Sequence, residues 1–362
     1  MKPKLLILWE KTGSKKNMNI SNKNMPKKVV LLTGVSGSIG CHFLAHIFHN
    51  TDWDIVGVSS FRHRGESDRI NGMLDAHPEW KSRYRHFTHD LIGPFSERTK
   101  EKIGHIDYIL NLASLSDVEA SIKDPVTFIQ NNVWSTLNLL EYARGAKPEV
   151  YLQFSTDEIF GPCEEGQRFK EWDPVVPSNP YAASKASQEA ISISYWRTYG
   201  VPLIITNTVN NFGEYQQASK FPVIVQKKVA KGEAVPVHGK EGEEGTRYYI
   251  HSRNAADAVL FILKNTTPHL HVPNAVDRPD RYNITSDDRL TNLELAQAIA
   301  EAMGKELKYE YIDHHTQRPG HDRHYSLSGE KLKALGWKQP QTFKESLKNT
   351  IEWQAAHNEW IK

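Results

Sequence analysis

Short strand-like runs recur at 28–33, 54–58, 84–87, 107–112, 150–155 and 202–207, separated by longer segments of helical composition. Runs of that length bounded by turn residues read as buried strands, and the segments between them are long enough for crossover helices. The pattern predicts an α/β fold built on a doubly wound parallel sheet. From Asn211 the rhythm changes, with glycine and charge-rich punctuation at 239–245 and helical stretches near 291–303 and 342–357. The expected organisation is a sheet domain over 28–210, with 247–265 returning to it, followed by a smaller C-terminal α/β domain over 211–362.

The first strand, Lys28 to Thr33, runs straight into Gly34-Val35-Ser36-Gly37-Ser38-Ile39-Gly40 and an apolar helical stretch, Cys41 to His49. Glycines there turn the chain tightly and let a helix N-terminus face a pyrophosphate, so the segment predicts a dinucleotide site on a Rossmann sheet. The spacing is GxxGxxG rather than GxGxxG, and its place between strand and helix carries the reading. Later, Val150-Tyr151-Leu152-Gln153-Phe154 delivers Ser155-Thr156-Asp157-Glu158 to a strand's carboxyl end, where open α/β sheets bind ligands. Tyr181 and Lys185 stand four apart at the start of a helical segment and share a face. The ammonium is expected to favour the phenolate, making Tyr181 a general base.

These motifs, together with Asp90-Leu91, Asn111-Leu112-Ala113, STDEIFG at 155–161, Asn210-Asn211-Phe212-Gly213, Tyr282-Asn283-Ile284 and Arg318-Pro319-Gly320-His321-Asp322-Arg323, resemble the extended short-chain dehydrogenase/reductase superfamily. Within it the chain is similar to the nucleotide-sugar 4,6-dehydratases over about residues 28–355. The resemblance implies cofactor contacts from Gly34, Gly37, Ser38, Ile39, Gly40, Ser60, Arg62, Asp90, Leu91, Leu112, Ala113 and Ser114, with Tyr181 and Lys185. It implies nucleotide-sugar contacts from Ser116, Asn211, Lys220, Arg247, Asn283, Arg318 and His321. In the implied reaction Tyr181 takes the O4 proton as C4 is oxidised, helped by Lys185 and by Thr156 at O4. Glu158 then removes the C5 proton, Asp157 protonates the departing O6, and hydride returns to C6 to give a 4-keto-6-deoxy sugar. Relatives also pair into homodimers through a four-helix bundle, for which 125–144 and 182–198 are the candidate helices.

Two segments depart from the relatives. Where an acid would accept from the ribose 2′-hydroxyl of NAD, this chain has Ser59-Ser60-Phe61-Arg62-His63-Arg64, whose guanidiniums suit the 2′-phosphate of NADP. NAD is the alternative if those arginines belong to a solvated loop. The sugar-lining segment reads Leu115-Ser116-Asp117-Val118-Glu119-Ala120-Ser121, and Gln216 to Lys220 replaces a Phe-Pro-containing loop, so hexose and base are open.

Composition narrows the setting. Only Cys41 and Cys163 occur, too few for a disulfide framework, and the longest N-terminal apolar run, Leu5 to Trp9, is far too short to span a bilayer; a cytoplasmic protein is expected. The net charge of +2 gives no nucleic-acid signal, although residues 1–28 hold eight lysines against Glu10 and predict a disordered basic tail over 1–27. The histidines show no metal-ligand spacing, and no metal is expected. Two other readings stay open: a nucleotide-sugar 4-epimerase or decarboxylase, against which the Asp157-Glu158 pair argues, and a nonenzymatic NAD(P)-binding regulator, which has no use for Thr156, Tyr181 and Lys185 together.

Overall fold

The computed structural model describes residues 27–63, 65–312 and 322–360. All six expected strands form: β1 (Val29–Thr33), β2 (Asp54–Ser59), β3 (Tyr84–Thr88), β4 (Tyr108–Asn111), β5 (Val150–Thr156) and β6 (Leu203–Thr208). Six further strands follow: β7 (Asn210–Phe212), β8 (Val235–His238), β9 (Thr246–His251), β10 (Asp280–Ile284), β11 (Arg289–Thr291) and β12 (Tyr309–Ile312). The central sheet has seven parallel strands in the order β10-β6-β5-β4-β1-β2-β3. β4 and β1 are neighbours, so their loops diverge at the switch point where such sheets bind ligands.

Alternation within the strands explains why apolar runs without polar breaks were needed. In β1, Val30 and Leu32 face one core while Leu31 faces the other; in β5, Leu152 and Phe154 face the first and Tyr151 the second. Helices cover both faces. Ser38–Asn50 and Ser252–Asn265 pack together on one side, whereas Pro125–Ala146 and Pro180–Tyr199 pack together on the other. The last two are started by the same device, an Asp124 or Asn179 side chain accepting a backbone N–H three residues on, with proline at the first helical position.

A third core, around Phe212, Tyr249, Leu295 and Phe343, joins Phe221–Lys231, Asn292–Ala302 and Phe343–Ala356. Two small sheets accompany it, β11-β9-β7 and β12-β8. One element departs from the expected division at 211: β10 leaves this region and closes the central sheet beside β6. The expected tail lies, except for Lys27, outside the described residues. Among the described residues no helix is long and apolar enough to cross a membrane.

Candidate active site

A cleft of about 810 Å³ opens over the carboxyl ends of β1, β4 and β5. Its cofactor end is set by close backbone approach. Gly34 has φ +66, and a Cβ on Gly40 would fall 2.2 Å from the Gly34 carbonyl oxygen, so the strand can turn into the helix only without side chains. The neighbouring loop is tied to the same point. Thr33 Oγ1 accepts the backbone N–H groups of Leu112 (3.1 Å) and Ala113 (3.0 Å) and donates to Asn111 Oδ1 at 2.9 Å. Asn111, fully buried, spends its amide on Thr136, Tyr151 and Gln153. Arg69 donates to the Ser36 carbonyl at 2.8 Å, a support for the glycine loop that no local motif announces.

The predicted cofactor residues Gly34, Gly37, Ser38, Ile39, Gly40, Ser60, Asp90, Leu91, Leu112, Ala113 and Ser114 all line this cleft. The residues fit a dinucleotide: a side-chain-free turn at a helix N-terminus meets a loop held at hydrogen-bond range. Arg62 borders the cleft rather than lining it: its guanidinium pairs with the lining residue Asp90 at 2.8 Å and donates to the lining residue Asn131 at 3.1 Å. Arg64 lies outside the described residues.

At the other end β5 stops at Thr156, and a single 3-10 turn, Asp157–Phe160, places the acids. Thr156 donates to Asp157 Oδ1 at 3.0 Å, and its hydroxyl favours the charged form of the Tyr181 phenol. Asp157 is buried, and its Oδ2 has no hydrogen-bond partner among the described residues. Burial first, and the neighbouring Glu158 carboxylate second, push the Asp157 carboxyl up to about 7. Glu158 is also raised by burial, but Asn179, donating to Oε2 at 3.3 Å, and the Arg247 cation favour its ionised form. Burial thus raises both acids and the Arg247 cation opposes it at both, while their direct donors differ: Thr156 for Asp157 and Asn179 for Glu158.

Tyr181 and Lys185 reach the same cleft, with a correction. Lys185 Nζ donates to the Phe154 carbonyl at 2.7 Å, and burial lowers its ammonium to about 7. Burial and then the Glu158 charge raise the Tyr181 phenol well above its ordinary value, with only the Thr156 hydroxyl opposing them. The expected lowering by Lys185 is not among the influences on the Tyr181 phenol. The Lys185 ammonium is aimed at the strand carbonyl instead.

Of the predicted substrate residues, Ser116, Asn211, Lys220 and Arg247 line the cleft, and Lys220 Nζ reaches the Ser116 carbonyl at 2.9 Å. Asn283 does not. It is fully buried in β10, where its amide donates to the Phe169 carbonyl at 3.0 Å. Arg318 and His321 lie outside the described residues. Tyr325 was missed by the sequence reading; its hydroxyl lies 3.5 Å from Glu158 Oε2, and the Arg247 guanidinium covers its ring at 4.4 Å. The structure also assembles a carboxylate–histidine trio, His42, Glu214 and His251, from residues with no local metal-binding spacing.

A glycine-turned Rossmann sheet that brings a Thr-Asp-Glu trio and a Tyr/Lys pair into one cleft defines an extended short-chain dehydrogenase/reductase of the nucleotide-sugar dehydratase and epimerase class. The chain belongs to the GDP-mannose 4,6 dehydratase family, whose pattern matches residues 31–350. It is 34% identical over 332 residues to the low-salt glycan biosynthesis protein Agl12 of Haloferax volcanii, covering 91% of this chain and 99% of that one. It is 30% identical to dTDP-glucose 4,6-dehydratase 1 of Escherichia coli K12, covering 92% and 94% of the two chains. Among solved structures, DesIV, a dTDP-glucose 4,6-dehydratase from Streptomyces venezuelae with NAD bound, superposes with a TM-score of 0.80 at 26% identity, covering 92% of this chain and 100% of that one. UDP-glucose 4-epimerases share the fold as well.

Proposed function

We propose that the protein dehydrates a nucleotide-diphospho-hexose to its 4-keto-6-deoxy derivative. The observation that carries this reading is the acid pair: Asp157, buried beside Glu158 and raised to about 7, and Glu158, which accepts from Asn179 at 3.3 Å, both in the cleft with Thr156 and Tyr181. Epimerisation needs oxidation at C4 but no such pair. A nicotinamide dinucleotide held by the glycine turn and the Leu112–Ser114 loop would supply the hydride chemistry that links C4 to C6. Tyr181, in the cleft with Thr156, takes the O4 proton, and Thr156 orients that oxygen. With C4 a ketone, the C5 hydrogen is acidic; Glu158 removes it while Asp157 delivers its proton to the leaving O6. Lys185 secures the cofactor side of Tyr181, and Lys220 and Arg247, both in the cleft, provide cations for the two phosphates.

The raised Tyr181 phenol requires that this residue become a base only in the loaded enzyme. A bound cationic nicotinamide would act in that direction. Incubation with a panel of nucleotide-diphospho-hexoses should show loss of water by mass spectrometry for at least one. Glu158→Gln should still reduce bound cofactor, yet lose solvent deuterium incorporation at C5 and turn over about 10²–10⁴-fold more slowly. Interconversion at C4 with no loss of water would favour the epimerase reading.

The cofactor we assign is NADP, because β2 ends at Ser59 and is followed by Ser60 with no acid, and Arg62 stands two residues on. A 2′-phosphate has to draw Arg62 from Asp90. NADP should therefore bind about ten-fold or more better than NAD, and Arg62→Ala should narrow the gap. Calorimetry showing NAD preferred by the unaltered protein would overturn this assignment. Both cysteines are free thiols, which suits the cytoplasmic location proposed here.

A further inference from the structure

Behind the glycine loop lies a second concentration of buried ionisable groups. Glu214, in the turn after β7, accepts at Oε2 from His42 Nε2 (2.7 Å) and His251 Nε2 (2.9 Å), and at Oε1 from Arg253 (2.9 Å). These partners come from the helix Ser38–Asn50, from the end of β9 and from the helix after it. The ring protons follow from the partners. His42 Nδ1 lies 2.6 Å from the Ser38 carbonyl oxygen and Nε2 2.7 Å from the Glu214 carboxylate, both acceptors, while the Cys41 thiol, 3.7 Å from Nδ1, donates to the Ser38 carbonyl; both ring nitrogens therefore carry protons. His251 Nδ1 accepts the Arg253 backbone N–H at 3.0 Å, so only its Nε2 carries one.

The titration shifts agree. Burial lowers His42, but Cys41 and Glu214 outweigh it and raise the ring to about 10, whereas burial takes His251 to about 4. The ionisable groups facing His42 are Cys41, Glu214, His251, Arg253 and Tyr215. The same protons argue against a metal, although the three candidate ligand atoms lie within 4.8 Å of one another. A metal on His251 Nε2 would force a proton onto Nδ1, against the Arg253 N–H.

The quartet carries two cations, His42 and Arg253, against one carboxylate. A cation in the early turns of a helix opposes the helix dipole, and an anion at the N-terminus relieves both. His42, Gly213, Gln216 and Gln217 all line the active-site cleft, and Ser38 Oγ reaches Gln217 Oε1 at 3.4 Å. We propose that Glu214 is a positioning residue: it holds His42 as a cation beside the glycine loop and locks the turn 213–217 to the cofactor helix. One buried carboxylate then sets both the diphosphate end of the cofactor site and the adjoining wall of the substrate site. This rests on the dinucleotide site proposed above.

Nitrogen-15 NMR of histidine-labelled protein at pH 8 should show His42 protonated on both nitrogens and His251 on Nε2 alone. In cofactor-stripped protein, Glu214→Gln should raise the dinucleotide Kd about ten-fold or more, raise the Kd for a nucleoside diphosphate in parallel, and be partly rescued by Glu214→Asp. His42→Asn carries the same test should Glu214→Gln fail to fold. A neutral His42 at pH 8, an unchanged dinucleotide Kd in the folded variants, or stoichiometric Zn²⁺ binding by the unaltered protein would overturn the proposal. Failure of the functional reading looks different: the unaltered protein would bind no dinucleotide while His42 remained charged.

Discussion

Burial keeps the Asp157 carboxyl protonated up to about pH 7, which ties both rate and stability to pH. Its folded value stands above the ordinary 3.8, so its contribution to stability is complete below about pH 4 and is lost as pH rises through about 7. Asp157→Asn cannot ionise, and its melting temperature relative to the unaltered protein should be higher at pH 8.5 than at pH 5 by scanning calorimetry. The protonated form is also the one that serves O6, so decay of the 4-keto intermediate should slow as pH climbs through about 7. A pH-independent decay in stopped-flow work would count against Asp157 as the acid. The residue itself was legible because it sits in a contiguous strand-end motif. The aim of Lys185 was not, since four-residue spacing fixes a shared helix face but not which oxygen the ammonium finds. Tyr325 and the His42–Glu214 pair were hidden for another reason: they meet their partners across 167 and 172 positions of chain.

The element that most constrains the site is the turn from β1 into the helix Ser38–Asn50. Gly40→Ala puts a methyl 2.2 Å from the Gly34 carbonyl oxygen and 2.9 Å from the Val35 Cα, both backbone atoms that cannot swing aside. The variant should lose dinucleotide binding by calorimetry while the far core around Leu295 and Phe343 keeps its protection in hydrogen exchange. Retained cofactor affinity would mean the loop can relax, and the close approach is not needed. The six sheet strands of the first half could be read because those buried on both faces need apolar residues at nearly every position. β10 escaped the same reading. Asp280-Arg281-Tyr282-Asn283-Ile284 is mostly polar, and its buried Arg281 and Asn283 find their partners far away in the chain, at Glu189 and the carbonyls of Glu171 and Phe169.

At the scale of the whole molecule, Pro125–Ala146 and Pro180–Tyr199 cover one sheet face but leave Val126, Ile129 and Trp134 37–62% exposed along the first helix. We propose that a second copy covers them, forming a homodimer through a four-helix bundle. Light scattering at micromolar concentration should give twice the chain mass of 41.3 kDa, and Trp134→Glu should shift the protein to monomer. A monomeric unaltered protein would refute the interface.

The seventh strand also imposes an order on biosynthesis. β6 ends at Thr208, but its parallel neighbour begins only at Asp280, so the ribosome must add about 70 residues before that edge can pair. At about 5–20 residues per second the gap lasts roughly 4–15 s. During it the nascent chain displays an open row of backbone donors and acceptors, the kind of edge that recruits other strands. A chain stalled or truncated between 209 and 279 is therefore aggregation-prone, and chaperone engagement belongs to that window of synthesis.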